Sequence, residues 1–242
     1  MAKTTGLNVR LYVQGYDLSG DANALSGLGY TSELLDVTTL DVSAKKRIIG
    51  SVDSEMSFDA FFDNAASRQH AVWTSNSGKL PTADQNVLIP MGSAVGDTFV
   101  GLVAKEGAYS TTRSPGSAIS ANATFTANGS ATEFGEMLTA HDDTHSTAGS
   151  GTVVDSGASS SNGGTGYLQI LSLASGSVTV NLQEATSSGG SYSNFMTFST
   201  VAAAAAPAAE RLTMEGTVQR YIKVTTTGTF SNAKIVVGFS RS

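Results

Sequence analysis

Large apolar side chains in this chain recur mainly at every second position, the spacing that turns them to one face of a β-strand. Near the start, Leu7, Val9, Leu11 and Val13 alternate with Asn8, Arg10 and Tyr12. The pattern resumes over Leu34–Val42, with Leu35, Val37 and Thr39 on one face. It is clearest in GSVDSEMSFDAFFD, where Val52, Ser54, Met56, Phe58, Ala60 and Phe62 alternate with Asp53, Glu55, Ser57, Asp59 and Phe61. One face of that strand is mostly apolar and the other carries three carboxylates. Thr98–Ala104 (TFVGLVA) reads as a buried strand. Asn86–Met91 is a short apolar run that Pro90 confines to a strand edge or end. Ile119, Ala121, Ala123 and Phe125 share a further face. Residues 1 to about 138 thus supply six or seven strands.

One helix interrupts them. Asp63 stands where an N-cap belongs, and Asn64–Trp73 lacks Gly and Pro. Trp73, the single tryptophan, is expected to anchor this helix to a sheet, and His70 to pack or cap. Between the strands, Ser19–Gly29 (SGDANALSGLG) has loop composition, and its GLG is too short a signal for a phosphate loop. Ser43–Arg47 (SAKKR) reads as a basic hairpin tip or edge, and Asn76–Asp84 as loop.

The pattern lapses over Thr139–Gly166, where Val153 and Val154 are the large apolar residues in a run of Ser, Thr, Gly and Ala. Such a stretch buries too little to make a core and reads as a linker with one short strand. Alternation then returns: Val178, Val180 and Leu182; Met196 and Phe198; Leu212 and Met214; Ile222 and Val224; Ile235, Val237 and Phe239. Ala202–Ala209 is too short for a helix and is broken by Pro207, so it is expected to be a small-residue loop. The spacing of strands and turns suggests a small β-sandwich. The expected fold is all-β with one short α-helix: a β-sandwich or barrel-forming domain over residues 1–140, a Gly/Ser-rich linker over 141–165, and a C-terminal β-sandwich over 166–242.

Composition sharpens this picture. Charged residues are 14% of the chain and apolar ones 40%, a balance common in all-β proteins with many turns. The net charge of −6 is uneven, with sixteen acidic against nine basic side chains in residues 1–150. Such a surface is poorly suited to gripping nucleic acid, which needs Lys and Arg, yet it could face nucleic acid without adhering. There is no cysteine, so neither disulfides nor thiolate metal sites are expected. No stretch approaches the roughly 18 apolar residues of a membrane span. The start of the chain lacks the apolar block of a signal peptide, and synthesis and folding in the cytoplasm are expected.

Candidate chemistry is sparse. His141, Asp142, Asp143 and His145 could bind a divalent metal on a helix, but their Thr, Ser, Ala and Gly neighbours argue for a loop without a preorganised site. Asp53, Glu55 and Asp59 lack the cleft and second partner group that acid–base hydrolysis needs. There is no GxSxG elbow, and His70 has no obvious catalytic partner. Asn122-Ala-Thr and Asn128-Gly-Ser match glycosylation sequons with no secretion signal beside them. No enzymatic activity, cofactor or metal is expected.

The order of features resembles the major tail tube proteins of long, non-contractile-tailed bacteriophages. LYVQGYDLSG is similar to their first strand and turn. LLDVTTLDVSAKKRIIGSVDSEMSFDAFFD is similar to their Thr-rich strand, basic hairpin, and Gly-then-acidic strand ending in Phe-Phe-Asp. The resemblance covers roughly residues 5–130. YLQILSLASGSVTVNLQEATSSGGSYSNFMTFSTV and RYIKVTTTGTF resemble an accessory β-sandwich appended to phage tail and capsid proteins. The resemblance implies a structural virion protein that is assembled in the host cytoplasm. It would form homo-oligomeric rings, usually hexamers, stacked into a hollow tube that conducts the genome during ejection. Its partners would be further copies of itself and other tail proteins such as tape measure, terminator and tail-tip proteins. DNA would pass without specific binding, and no membrane would be involved.

Within that resemblance, Asp53, Glu55 and Asp59 are the candidate lumen-facing acidic strand. Two segments compete for the subunit-bridging loop, one with Ser19, Asp21 and Asn23, the other with Lys45, Lys46 and Arg47. Two alternatives stand beside it. One is a capsid decoration protein. The other is a host-surface glycan-binding module, which would need an exposed aromatic platform drawn from Tyr167, Tyr192 and Tyr221.

Overall fold

The structure is a computed structural model that describes residues 9–75 and 77–242. Leu7 and Asn8 of the first alternating stretch lie outside the described residues. The protein is all-β: among the described residues the only α-helix is α1 (Gln69–Trp73), accompanied by one 3-10 turn at Ala203–Ala205.

The first half contributes β1 (Tyr12–Val13), β2 (Tyr16–Asp17), β3 (Ala22–Ser26), β4 (Thr31–Asp36), β5 (Arg47–Asp53), β6 (Glu55–Phe61), β7 (Gln85–Pro90), β8 (Thr98–Thr112), β9 (Ser120–Ala127) and β10 (Glu133–Met137). All pairings are antiparallel. In order of contact, β3 pairs with β6, β6 with β9, β9 with β8, β8 with β7, β7 with β1, and β1 with β2. The inward residues Met56, Phe58, Ala60, Ala121, Ala123, Phe125, Leu102 and Ala104 form one core with Leu11, Val13, Leu18, Val87 and Ile89. Val72 and Trp73 of α1 join that core. Trp73 meets Tyr109 edge-on at 6.0 Å, so the tryptophan anchors the helix to the sheet as its sequence position suggests.

The second half contributes β11 (Thr144–His145), β12 (Gly149–Ser150), β13 (Val154–Asp155), β14 (Gly164–Ala185), β15 (Ser193–Thr197), β16 (Val201–Ala202), β17 (Ala208–Met214), β18 (Tyr221–Thr227) and β19 (Phe230–Arg241). The 22-residue β14 organises it, pairing over different stretches with β15, β16, β17, β18 and β19. Gly176, Gly228 and Gly163 have positive φ at places where a Cβ would lie about 2 Å from a neighbouring carbonyl oxygen, so these turns require glycine. A second core gathers Leu168, Ile170, Val180, Leu182, Phe198, Ile222, Val224, Ile235, Val237 and Phe239.

The two cores meet through β10, which pairs with β8 on one side and β19 on the other. At that junction Phe99 lies over Gly135 and Gly238, where a Cβ would come within 2.7 Å of its ring. Tyr167 stacks edge-on to it at 5.6 Å. Gln169, fully buried, accepts from the Gly15 amide (2.6 Å) and donates to the Asn86 carbonyl (3.1 Å). Glu133 binds Arg211 through both of its carboxylate oxygens and also accepts from the Tyr167 hydroxyl.

Three local expectations are corrected. Helix α1 begins only at Gln69, because Ser67 takes a positive φ of 63° and breaks the turn before it. Arg68, not Asp63, occupies the N-cap position, while the Asp63 carboxylate accepts from the Ala65 amide and the Arg68 guanidinium. The strand expected from Gly50 to Phe62 is two strands, β5 and β6, parted at the buried Ser54. There the hydroxyl of Ser54 accepts from the Thr132 amide (2.9 Å) and its carbonyl from the Ala127 amide (2.8 Å). The alternation therefore describes β6, where Met56, Phe58 and Ala60 are buried, but not Val52, which is exposed in β5. The third concerns residues 141–165, expected to hold one short strand. They carry three, with β11 on β19 and β12 and β13 on β18.

Candidate assembly surface

Strands β4 and β5 form a sheet of their own. Leu34 pairs with Ile49 and Leu35 with Ile48, so adjacent rungs of the ladder send apolar pairs to opposite faces. Both faces are bare: Ile49 is 71% exposed, Leu34 61%, Ile48 53% and Leu35 40%. Leu40, in the turn between the strands, is 109% exposed, as open as in an extended chain. Tyr30, Val37 and Val52 add further exposed apolar surface. A two-stranded ribbon is marginally stable alone, and contiguous apolar surface of this kind marks an interaction site.

The ribbon is nevertheless locally well specified. Asp36 accepts from both the amide and the hydroxyl of Thr38, and the Thr38 hydroxyl accepts from the Lys46 amide, closing the turn region. These bonds hold the Asp36 carboxyl below its ordinary range, with Lys45 (3.7 Å) adding to the effect. Lys46 and Arg47, expected at a bridging loop, make no ion pair within the subunit among the described residues. At the root, Gly27 has φ of 71° and a Cβ there would lie 2.1 Å from the Glu55 carbonyl, so only glycine lets the chain leave β3 so close to β6.

Beside the ribbon, β3, β6, β9 and the second half of β8 make a four-stranded sheet with one polar face. Register places Glu55 beside Thr126 and Lys105, Ser57 beside Thr124 and Ala108, Asp59 beside Asn122 and Ser110, and Phe61 beside Ser120 and Thr112. Direct partners share a face, so Glu55 and Asp59 stand in a field of hydroxyls and amides. Asn122 donates to Asp59 (2.8 Å), and Lys105 is paired to Asp84 (2.8 Å). Asp53, the third of the expected acidic row, belongs instead to β5 opposite Thr31, at the ribbon's root.

This sheet has two open edges among the described residues. β3 pairs only with β6, and β8 pairs only with β9 from Lys105 onward, β7 having ended at the Gln85–Ala104 rung. Unpaired edges offer backbone donors and acceptors to another strand. Along the free side of β3 runs a cavity of about 320 Å³ lined by Val9, Leu11, Leu25, Leu28 and Met91 among others.

The residues of the other expected loop divide. Asn23 is exposed on β3. Ser19 accepts from the Leu11 amide and donates to Asp17. Asp21 is buried and engaged inside the subunit, accepting from Arg68 and from the Gln69 amide at the start of α1. A buried acceptor for the helix's first amide is invisible in sequence because it lies 48 residues upstream.

The histidines and tyrosines singled out by sequence do not converge on one site. His145 lies 3.3 Å from Asp143, and His141 lies 3.9 Å from Asp142, as two separate pairs. No group of three or more His, Cys, Asp or Glu side chains able to hold a metal occurs among the described residues. His70 contacts the Tyr109 hydroxyl at 2.8 Å, a packing role. Tyr167 is fully buried and forms no platform. The rings of Tyr192 and Tyr221 are covered by Lys223 (4.1 Å) and Arg220 (5.0 Å).

No protein-family model matches the chain, and no curated protein matches it. Among solved structures it is similar to a chain in the virion of a native gene transfer agent particle (16% identity, TM-score 0.39, covering 53% of this chain and 97% of that one). It is also similar to the anti-feeding prophage cap that terminates the tube (8% identity, TM-score 0.45, 56% and 93%). A third likeness is to the SPP1 Dit protein of a hub adsorption apparatus (10% identity, TM-score 0.38, 96% and 98%). At such low identity, function is to be argued from the chain's own surfaces.

Proposed function

We propose that this chain is a structural subunit of a phage virion that polymerises as stacked rings into the tail tube, a hollow conduit for genome delivery. The observation that carries this reading is the four-stranded sheet with, among the described residues, a free edge on each side and a polar, acidic face. Pairing the β3 edge of one copy with the β8 edge of the next is a head-to-tail contact. Where its rotation closes, such a contact gives a ring and a continuous barrel with no edges left. The number of copies is the hexamer that the resemblance implies.

In this reading Glu55 and Asp59 line the bore, with Asp53 at its rim. Carboxylates repel passing phosphate, whereas a lysine-rich lining would hold DNA by counterion release. The opposite face of the sheet is covered by α1 and the first core, so the tube wall has the required apolar backing. The ribbon of β4 and β5 is the bridging arm, since its two apolar faces require neighbours on both sides. Residues 1–140 are the tube-building domain, 141–165 its connection, and 166–242 a sandwich on the outside that contacts the host surface. Other tail proteins meet the tube at its ends.

Electron microscopy of the purified full-length protein tests this directly. Hollow tubes or stacked rings are expected. A dispersed monomer at high concentration would overturn the proposal.

A further inference from the structure

We infer that the arm of one copy seats in the apolar groove along the free side of β3 in a neighbouring copy, so that arm and groove form a head-to-tail pair. This deepens, and rests on, the reading of the ribbon as a bridging arm.

Three features of the molecule support the seat. First, the groove and the arm match in chemistry. The groove is lined by Val9, Leu11, Leu25, Leu28 and Met91, and the arm presents Leu34, Leu35, Leu40, Ile48 and Ile49, each at least 40% exposed. Burying aliphatic side chains removes apolar surface from water, so a few residues in such a seat suffice to fix the contact. Second, the arm cannot reach its own groove. Leu28 lines both the groove and the cleft at the ribbon's root, which also includes Tyr30, Thr31 and Asp53. The six residues of β4 carry the tip roughly 20 Å from that root. The seat is therefore beside the base of the arm and the plug is at its far end, and only another copy can bring them together. Third, the groove runs along an edge of β3 that has no strand partner among the described residues, lined by Ala22, Asn23, Ala24 and Leu25. An extended segment entering it meets free backbone groups as well as apolar side chains, the combination that strand addition uses.

Because plug and seat are different surfaces, the contact is heterologous and propagates from copy to copy. Isologous pairing of two arms would instead stop at a dimer.

The test exploits the absence of cysteine in the chain. Two single variants, L40C at the arm tip and L25C in the groove, are mixed and oxidised. The expected product is a cross-linked heterodimer, formed several-fold faster than either homodimer. Two blocking variants, Leu40→Asp and Leu28→Asp, are prepared alongside. Each alone is expected to lose long polymers, whereas the mixture gives discrete pairs, because one intact arm still finds one intact groove. Wild-type-like thermal melting and Trp73 fluorescence confirm that both variants fold.

The outcomes separate the two proposals. Wild-type tubes together with unimpaired assembly of Leu28→Asp, or cross-linking only between two arm tips, overturn the arm-in-groove seat and leave the tube reading intact. A Leu40–Leu25 cross-link in an assembly that is not tubular supports the seat and overturns the tube. A monomeric wild type with no cross-link overturns both.

Discussion

Strand β6 and the ribbon of β4 and β5 adjoin in sequence and are rich in the same kinds of side chain, yet they have opposite fates. In β6 every second residue is buried: Met56, Phe58 and Ala60 are wholly inaccessible, while Glu55, Asp59 and Phe61 are exposed. Immediately upstream, Ile48, Ile49 and Val52 are exposed. The difference is partnership. β6 has β3 on one side, β9 on the other and a helix-covered core beneath, whereas β5 has only β4. Apolar side chains without a cis partner mark where the molecule is incomplete, and so where assembly is to be sought.

The comparison breaks most visibly under truncation. Phe58→Ala removes a side chain that is fully buried against Phe125 (5.1 Å between ring centroids) and should destabilise the folded subunit by about 3–5 kcal/mol. Ile49→Ala should change it by less than about 0.5 kcal/mol, as for most surface positions. Chemical denaturation of unassembled protein measures both. If Ile49→Ala is as costly as Phe58→Ala, the ribbon is packed within its own subunit and the contrast is false.

A second prediction uses the carboxylates on the two sides of the same sheet. Glu106 on β8 is buried with neither carboxylate oxygen hydrogen-bonded, and burial pushes its carboxyl up to about 8. Folded protein then holds a proton that the unfolded chain releases near 4.5. Stability from this group is full below that lower value, falls as pH rises between the two, and flattens above about 8. Glu106→Gln should abolish that slope and leave the variant more stable than the wild type at pH 8. Melting temperatures across pH 5–9 would show it; parallel curves for wild type and variant would mean that Glu106 finds an unrecognised partner. Glu55→Gln, on the exposed face, should change stability by less than about 0.5 kcal/mol.

A smaller effect on stability, but a specific one on function, is expected for the polar face. Replacing Asp53, Glu55 and Asp59 together by Lys should shift subunit stability by under about 1 kcal/mol and leave assembly intact, while DNA passage is impaired. Loss of assembly would place these carboxylates in an interface instead of the bore. Smallest of all in the isolated subunit is Lys46→Ala with Arg47→Ala, two cations without internal ion-pair partners among the described residues. Their removal should be silent in denaturation and should appear only as weaker, less salt-sensitive assembly in sedimentation.

How much of this was legible in the residues follows from the range of the interactions. Period-2 alternation located β6, β9 and the strands of the second half, because a face buried on one side writes its pattern locally. The helix was placed correctly at its end and too early at its start. Its beginning follows from the left-handed Ser67 and from Asp21, which captures Arg68 and the Gln69 amide from far upstream. Of the expected site residues, Glu55 and Asp59 share a face, whereas Asp53 falls on the neighbouring sheet. Ser19 and Asp21 turn inward, and Lys45, Lys46 and Arg47 sit at the exposed end of the ribbon. The aromatic platform dissolved for a similar reason: Tyr167 closes the junction over Gly101.

By itself, then, the sequence determined that the chain would be all-β, that one short helix would end at its single tryptophan, and that one strand would carry an acidic face. Each of these depends on side chains a few residues apart. Only the tertiary structure decided where the sheet stops, because an open edge is the absence of a partner that could have come from anywhere in the chain. For the same reason it alone revealed that the apolar run around Ile49 is exposed and that an apolar groove along β3 lies beside its base. Burial is a property of the whole fold, and no local pattern specifies it.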